Sequence, residues 1–242
     1  MSLETSESKI LPIKELIQQF SMGSLRQRRR LLQSVEKRSN EFLALGPTLL
    51  DDFDSEGDNW SVGWILQICN RKHAELLKKI LDCKPMGWFS VASAKGMDYG
   101  SLQKCLLEEK FEDADRITSS YLRKLAGPDA VKRGYVYFSE VNSIEKNDLE
   151  TLDRLWIAYS QGRFGFSIQA RILDSLNGRY DKLWPRIGWK QEGVWTRYPN
   201  SFTWSIEAPE GHMPLVNQLR GVRLMDALLN HQAIKSRIEL KP

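Results

Sequence analysis

The chain has 242 residues, of which 41% are hydrophobic and 27% are charged, and its formal net charge is +4 from 35 basic and 31 acidic residues. This composition is typical of a folded globular protein, and so small a net charge does not by itself indicate a nucleic-acid binder. No apolar run approaches the roughly 20 residues that a membrane-spanning helix needs, and the N-terminal MSLETSESKI has the character of neither a signal peptide nor a transit peptide. We therefore expect a soluble, intracellular protein, for which peripheral attachment to a membrane surface stays open.

The three cysteines and three histidines offer little for disulfide or metal chemistry. Cys69, Cys83 and Cys105 form no CxxC pair, and the histidines complete no recognisable set of metal ligands. We expect buried free thiols in a reducing compartment, and no metal site.

Apolar residues recur at helical spacing in the first third of the chain and predict helices over residues 10–20, 25–45 and 60–83. These helices indicate an N-terminal helical bundle over residues 1–85. The following KPMGWFSVASAKGM, residues 84–97, combines proline, glycine and small residues without helical period, so it is the predicted domain boundary.

A run of basic residues, RQRRR at positions 26–30, lies in the second predicted helix. Such a run could contact nucleic acid or an anionic membrane. At helical spacing, however, these arginines would cover most of the helix circumference, while Leu31, Leu32 and Val35 supply an apolar stripe. We therefore favour a solvated helix face.

Residues 98–231 are predicted to form a second helical domain, followed by a short tail over residues 232–242. Its predicted helices cover residues 99–109, 112–126, 148–159, 166–176 and 215–229. Gly127 and Pro128 end the second of these helices, and Asp148 can cap the third. The predicted fold class is all-α.

A long irregular loop over residues 178–214 separates the last two predicted helices. Loops of this length are uncommon in compact domains and tend to be functional or disordered. The high aromatic content argues against disorder. Short strand pairing is compatible with residues 193–205.

The same loop is rich in aromatic and basic side chains, namely Trp184, Trp189, Trp195, Tyr198, Phe202 and Trp204 beside Arg186, Lys190 and Arg197. Aromatic walls suit a flat, apolar ligand, and neighbouring cations suit a ligand that also carries negative charge. Two alternatives stay open at this point. Each tryptophan could be a core residue beneath the loop, or the segment could stack nucleobases beside a basic groove.

Candidates for catalysis are few. His212 and Glu210 lie close together in the turn APEGHMP, which is weak geometry for an acid–base pair. We favour a histidine that is hydrogen-bonded to loop backbone. GRFGF, at positions 162–166, is not GxGxxG and follows no predicted strand, which favours a corner between helices with buried aromatic rings. We therefore expect no catalytic residue.

Several strings in one order carry a family resemblance: FEDAD from Phe111, YVYFSEV from Tyr135, DLETLDRLW from Asp148, GRFGFSIQ from Gly162, LWPRIGWK from Leu183, VWTRYP from Val194 and FTWSIEAPEGHMPLVNQLRGVR from Phe202. Over residues 98–231 the chain resembles the genomes-uncoupled family of porphyrin-binding accessory proteins of magnesium chelatase, which regulate chlorophyll synthesis.

The resemblance implies an all-α protein whose second domain forms a cupped surface for protoporphyrin IX or Mg-protoporphyrin IX. It implies a non-catalytic protein with no permanent cofactor, whose partner is the large porphyrin-binding subunit of magnesium chelatase and not nucleic acid. The matching motifs place the apolar wall at Phe138, Val141, Trp189, Trp195 and Tyr198. They place the polar side at Asn217, Arg220 and Arg223.

The chain departs from the family pattern in two places. Tyr198 stands where tryptophan is common, and the region before Lys84 matches only in helical character. The chain also ends shortly after His231, without the C-terminal extension of plant and algal nuclear-encoded members. Together with the absent transit peptide, this predicts a cyanobacterial cytoplasmic protein or, if plastid-encoded, a protein of the plastid stroma. The alternative function is a nucleic-acid or protein adaptor that uses the basic helix.

Overall fold

The computed structural model describes residues 11–216 and 222–239, and nearly all of the regular structure in this part of the chain is helical. The α-helices are α1 (Ile13–Met22), α2 (Leu25–Lys37), α3 (Phe42–Leu45), α4 (Trp60–Lys72), α5 (Ala74–Ile80), α6 (Gly100–Leu107), α7 (Phe111–Ala126), α8 (Pro128–Arg133), α9 (Lys146–Tyr159), α10 (Phe166–Ser175), α11 (Tyr180–Arg186), α12 (Arg223–Leu229) and α13 (Gln232–Glu239). Short 3-10 helices cover Ser39–Glu41, Gly46–Leu50 and Phe138–Ser143, and two short strands, β1 (Lys190–Gln191) and β2 (Val194–Trp195), pair antiparallel. The predicted all-α class is confirmed.

The N-terminal helices are shorter than predicted. α2 begins with a capping box, in which the Ser24 hydroxyl accepts a hydrogen bond from the Gln27 amide, but it ends at Lys37 instead of continuing to residue 45. Ser39 and Asn40 follow, and such residues compete with helical hydrogen bonding through their side chains. The predicted helix over residues 60–83 is likewise divided, because His73 leaves the helical conformation with φ −139° and ψ 55°.

The N-terminal helices pack directly on the second region, and one continuous cluster of buried side chains extends from Ile13 to Ile234. The side-chain amide of Gln67 on α4 donates to the carbonyl oxygens of Leu106 at 3.0 Å and Tyr159 at 2.8 Å. These bonds hold α4 against α6 and α9.

Residues 232–239 differ from the predicted tail. They form α13, which packs against α9 and α10. Arg237 pairs at 2.6 Å with the buried Asp153 on α9 and at 2.6 Å with Asp58 in the loop before α4. α13 is therefore part of the packed structure. Removal of either partner of these ion pairs would leave a buried charge unpaired.

Asp148 has a different role from the predicted helix cap. α9 begins at Lys146, two residues earlier, and the fully buried Asp148 accepts hydrogen bonds from the Tyr99 hydroxyl at 2.7 Å and the Ala94 amide at 3.0 Å. The carboxylate therefore anchors the end of the predicted boundary segment to α9.

No helix within the two described stretches combines the length and the apolar character that crossing a bilayer requires.

Candidate ligand-binding cavity

A cavity of about 760 Å³ lies between α7, α12 and the segment that follows β2. Its volume is within the range of about 300–1,000 Å³ that is common for sites of small organic ligands. The lining is formed by Asp115, Arg116, Ser119, Leu122, Arg123, Gly134, Tyr135, Val136, Ile144, Trp195, Thr196, Arg197, Tyr198, Leu215, Val216, Leu224 and Leu228. Most of these side chains are apolar or aromatic, so the cavity suits a hydrophobic body with a few charged groups.

Helix α7 has one face toward the cavity and an adjoining face toward the core. Asp115, Ser119 and Leu122 line the cavity, and their spacing of four and three residues places them on one side of a helix. Thr118, on the adjoining face, is buried and accepts a hydrogen bond from the Trp156 indole N–H at 2.9 Å. Packing against α9 therefore determines which face of α7 meets a ligand.

The opposite wall comes from the β1–β2 hairpin and the residues after it. Glu192 and Gly193 connect the strands with φ 48° and 83°, as a two-residue type I′ turn requires. Trp195 on β2 packs 5.5 Å from Trp184, whose ring stacks on Trp189 at 5.6 Å and 9°. This buried pair supports the hairpin and the half-buried Trp195.

Three arginine side chains line the cavity, Arg116 and Arg123 from α7 and Arg197 from the opposite wall. The Arg116 guanidinium also pairs with Glu112 at 3.0 Å, but its side chain is 60% exposed, so this pair contributes little to stability. Guanidinium groups bind carboxylates through charge-assisted hydrogen bonds. The cavity therefore combines an apolar body with a cationic rim.

Asp115 is the acidic side chain among the described lining residues. It is 1% exposed, and its Oδ1 accepts a hydrogen bond from the Leu215 amide at 2.6 Å. Burial raises the pKa of Asp115 to about 7, against the opposing effect of that hydrogen bond. Both protonation states of Asp115 are therefore populated near neutral pH.

Residues 92–232 match the model of the GUN4-like family. The chain belongs to this family. Among its relatives, the Ycf53-like protein of Synechocystis is 49% identical over 147 residues, which are 61% of this chain and 63% of that protein. The chain thus matches less than two thirds of that relative's length. The protein ycf53 of Porphyra purpurea is 40% identical over 167 residues, 69% of this chain and 70% of that protein.

Further GUN4-like relatives include a protein described as a tetrapyrrole-binding protein and two solved structures. The chloroplastic tetrapyrrole-binding protein of Arabidopsis thaliana is 37% identical over 141 residues, 54% of this chain and 53% of that protein. GUN4 from Chlamydomonas reinhardtii matches with TM-score 0.57 and 40% identity over 60% of this chain and 93% of that structure. Ligand-free Arabidopsis GUN4 matches with TM-score 0.54 and 37% identity over 57% of this chain and 99% of that structure. The family resemblance drawn from the sequence motifs is confirmed.

The residues predicted from GUN4-like motifs fall into four groups. Trp195 and Tyr198 line the cavity. Val141 and Trp189 are fully buried and do not line it. Phe138 lies outside the lining, 45% exposed, and the Arg223 guanidinium carbon is 5.5 Å from its ring centre. Asn217 and Arg220 lie outside the described residues.

Sequence reasoning did not select the cavity-facing residues of α7 in this GUN4-like chain, Asp115, Arg116, Ser119, Leu122 and Arg123. A signal was available, because the string FEDAD contains Asp115 and marks the first turn of α7. It did not show which face of the helix would point away from the core.

His212 is a buried structural residue, as predicted. Its Nδ1 lies 2.7 Å from the Ile187 carbonyl oxygen, and its Nε2 accepts a hydrogen bond from the Thr203 amide at 3.4 Å. Burial lowers the pKa of His212, so the neutral ring can donate through Nδ1 and accept through Nε2. Glu210 pairs instead with Arg171 at 3.2 Å.

The remaining sequence expectations have mixed outcomes. GRFGF forms the predicted corner between α9 and α10, with Phe164 and Phe166 fully buried. The basic run on α2 is largely solvated, and its half-buried Arg28 donates to the Gly23 carbonyl at 2.8 Å. The expectation of buried thiols holds for Cys69 but is wrong for Cys83, which is exposed.

The predicted helix over residues 215–229 is observed only from Arg223, and residues 217–221 lie outside the described part. Leu215 and Val216 are not helical and line the cavity instead. Of the predicted strand region, Val194–Trp195 is confirmed, but its partner strand precedes that region.

Proposed function

We propose that this protein binds a tetrapyrrole, protoporphyrin IX or Mg-protoporphyrin IX, in the cavity between α7, α12 and residues 195–198. The observation that carries the proposal is the combination of an apolar lining with three arginines in a cavity of about 760 Å³. Membership of the GUN4-like family supports it, as does the description of the Arabidopsis relative as a tetrapyrrole-binding protein.

The energetics favour a ligand with both an apolar ring and acidic groups. Burial of roughly 300 Å² of apolar ligand surface would contribute about 7 kcal/mol at ~25 cal/mol/Å², and association costs at least about 4 kcal/mol. Hydrogen bonds to charged groups contribute about 1.5–3 kcal/mol each. Contacts between the arginines and the ring's propionates would therefore determine much of the final affinity.

The predicted binding residues would meet the ligand from different positions in the site. Trp195 and Tyr198 would contact the ring, and Val141 and Trp189 would support the wall from behind. Phe138 and Arg223, in mutual contact at the surface, would extend the site outward. We retain Asn217 and Arg220 on the polar side from the family motif.

We propose that the protein acts by binding and presenting its ligand, without catalysis. Both ring nitrogens of His212 are hydrogen-bonded within the loop, and Glu210 pairs with Arg171, so the acid–base pair considered from the sequence is not assembled. Because both of its ring nitrogens are engaged, His212 would not supply a ligand to a bound magnesium porphyrin.

We further propose that the protein stimulates magnesium chelatase through the large porphyrin-binding subunit of that enzyme, in chlorophyll biosynthesis. The family strings support this partner. The Synechocystis and chloroplastic Arabidopsis relatives support a cyanobacterial cytoplasm or a plastid stroma as the compartment. The exposed arginines of α2 are compatible with peripheral attachment to an anionic membrane.

The decisive experiment places a larger side chain in the cavity, where it would exclude the ligand. Ser119 lines it from α7, and the next residue, Ser120, does not. We expect deuteroporphyrin to bind the wild type saturably, as a shift of its Soret absorbance, and Ser119→Phe to raise the dissociation constant at least tenfold, a loss of about 1.4 kcal/mol. Ser120→Phe is the matched control, with the same change on the same helix, and should bind like the wild type.

Equal binding by the wild type and Ser119→Phe would place the ligand elsewhere, and no saturable binding by the wild type would exclude the function. The chelatase proposal is tested separately by adding each variant to the magnesium chelatase subunits and measuring magnesium insertion. Stimulation by the wild type and Ser120→Phe, but not by Ser119→Phe, is the expected result.

A further inference from the structure

Asp115 is a buried acid in the wall of a cavity that we propose for an acidic ligand. The hydrogen bond from the Leu215 amide reaches only its Oδ1. Among the residues described, no side chain donates to Oδ2 and no cation forms an ion pair with the carboxyl group. Arg116, adjacent in sequence, pairs with Glu112 and Asp113 instead. Asp115 lines the cavity, so a ligand that fills the cavity would lie against this buried carboxyl group.

The charges around Asp115 come from two elements. On α7 they are Glu112, which favours the neutral acid, and Arg116, which favours the carboxylate. On the opposite wall Tyr198 is close enough for the charge of Asp115 to raise the pKa of its phenol, although burial is the larger cause, and Arg197 lines the same cavity. The segment at Leu215 contributes its backbone N–H, and α12 contributes apolar side chains, Leu224 and Leu228.

A bound ring would change this balance. An apolar macrocycle that fills the cavity removes water from the carboxyl group and thereby disfavours its charged form further. Mg²⁺ at the ring centre replaces two N–H protons, so the net charge of the ring does not change, but the metal is a Lewis acid that attracts anionic oxygen donors and thereby favours the carboxylate. The two forms of a porphyrin therefore favour opposite protonation states of one side chain.

We infer that Asp115 is the specificity-determining residue of the cavity: it binds the metal-free ring as a neutral acid and the magnesium-bearing ring as a carboxylate. This inference rests on the proposed function. It follows that binding of metal-free porphyrin takes up protons near pH 7, whereas binding of the magnesium complex releases them. Higher pH shifts the preference of the site toward the magnesium complex.

The test compares deuteroporphyrin with Mg-deuteroporphyrin at pH 6, 7 and 8. For the wild type, the dissociation constant of the metal-free ring should rise about tenfold from pH 6 to pH 8, the change expected when one proton is bound. That of the magnesium complex should instead fall about tenfold over the same range, because binding to the carboxylate form releases a proton. Asp115→Asn keeps an acceptor for the Leu215 amide but cannot ionise, so it should remove the pH dependence for both rings.

Asp113→Asn is the matched control, because it makes the same substitution on the same helix at a residue that neither lines the cavity nor shifts the pKa of Asp115. It should keep the wild-type pH dependence. Saturable binding with a flat pH profile in the wild type, a persistent slope in Asp115→Asn, or a slope lost equally in Asp113→Asn would each overturn the role of Asp115 and leave the proposed function intact. No saturable wild-type binding at any pH would instead exclude the proposed function.

A second measurement needs no variant, which covers the case in which Asp115→Asn does not fold. Calorimetric titration of the wild type with deuteroporphyrin at pH 7, in two buffers of different ionisation enthalpy, measures the protons taken up. We expect a net uptake of a fraction of a proton, because burial raises the pKa of Asp115 to about 7 and part of the carboxyl groups are therefore ionised before the ligand binds. Zero uptake would contradict the inference.

Discussion

The segment over residues 178–214 has an inner half, with Trp184 and Trp189, and an outer half, with Trp195 and Tyr198. The two halves use aromatic side chains in different ways. Trp184 and Trp189 are 6% and 0% exposed and stack on each other, whereas Trp195 is half-buried and the exposed Tyr198 stands beside it in the cavity lining. Trp195 follows Trp189 by only six positions. The hairpin between them reverses the chain, so the first ring faces the core and the second faces the cavity. Aromatic density thus locates a ligand-binding segment without indicating which ring meets the ligand.

The largest expected effect belongs to the inner half. Trp189→Ala removes a fully buried ring and the indole hydrogen bond to the His212 carbonyl at 2.8 Å. We expect the free energy of unfolding to fall by about 3–5 kcal/mol, measured by urea denaturation, with ligand binding lost as a consequence. A stable Trp189→Ala protein with weakened binding would mean that this ring contacts the ligand directly, and the contrast between the halves would be wrong.

An intermediate effect is expected in the outer half. Trp195→Ala removes a ring from the cavity wall, and the loss of about 60 Å² of apolar contact corresponds to about 1.5 kcal/mol. The dissociation constant of deuteroporphyrin should therefore rise about tenfold, while the melting temperature stays within a few degrees of the wild type. Calorimetric titration and thermal unfolding monitored by circular dichroism separate the two effects. An unchanged dissociation constant would remove Trp195 from the site.

The smallest effect concerns the charged rim between these rings. Arg197 lines the cavity, and Arg197→Ala should raise the dissociation constant of deuteroporphyrin about fivefold, because solvent around this exposed side chain reduces a charge-assisted contact to about 1 kcal/mol. Deuteroporphyrin dimethyl ester lacks the carboxylates and should bind both proteins alike. Arg186→Ala, on α11 outside the lining, controls for the loss of one positive charge. Equal weakening by both substitutions would indicate a general effect of charge and not a contact with Arg197.

Helices with strong local signals were predictable. The helix predicted over residues 112–126 is observed as Phe111–Ala126, and Gly127, with φ 119°, ends it at the predicted position. A positive φ is a conformation that glycine adopts without steric cost. Periodicity and a glycine terminator act over a few residues, so they can be read directly along the chain.

Helix breaks were harder to predict when the apolar pattern continued across them. Cys69, His73 and Leu77 are spaced as one helical stripe, yet the chain bends at His73 and divides the stripe between α4 and α5. The pattern reports which side chains are buried, and both helices bury theirs. It does not report that the direction of the chain changes between them.

The sequence by itself determined the all-α class, the family, and the aromatic segment with its arginines, because composition, helical spacing and motif strings are local properties. It also indicated a structural role for His212. Only the tertiary structure decided which residues share the cavity. Asp115 and Leu215 are 100 residues apart in sequence and joined by a 2.6 Å hydrogen bond, and the cavity-facing side of α7 depends on the packing of its other face against α9. Contacts between distant segments arise from packing, and no short-range pattern in the sequence encodes them.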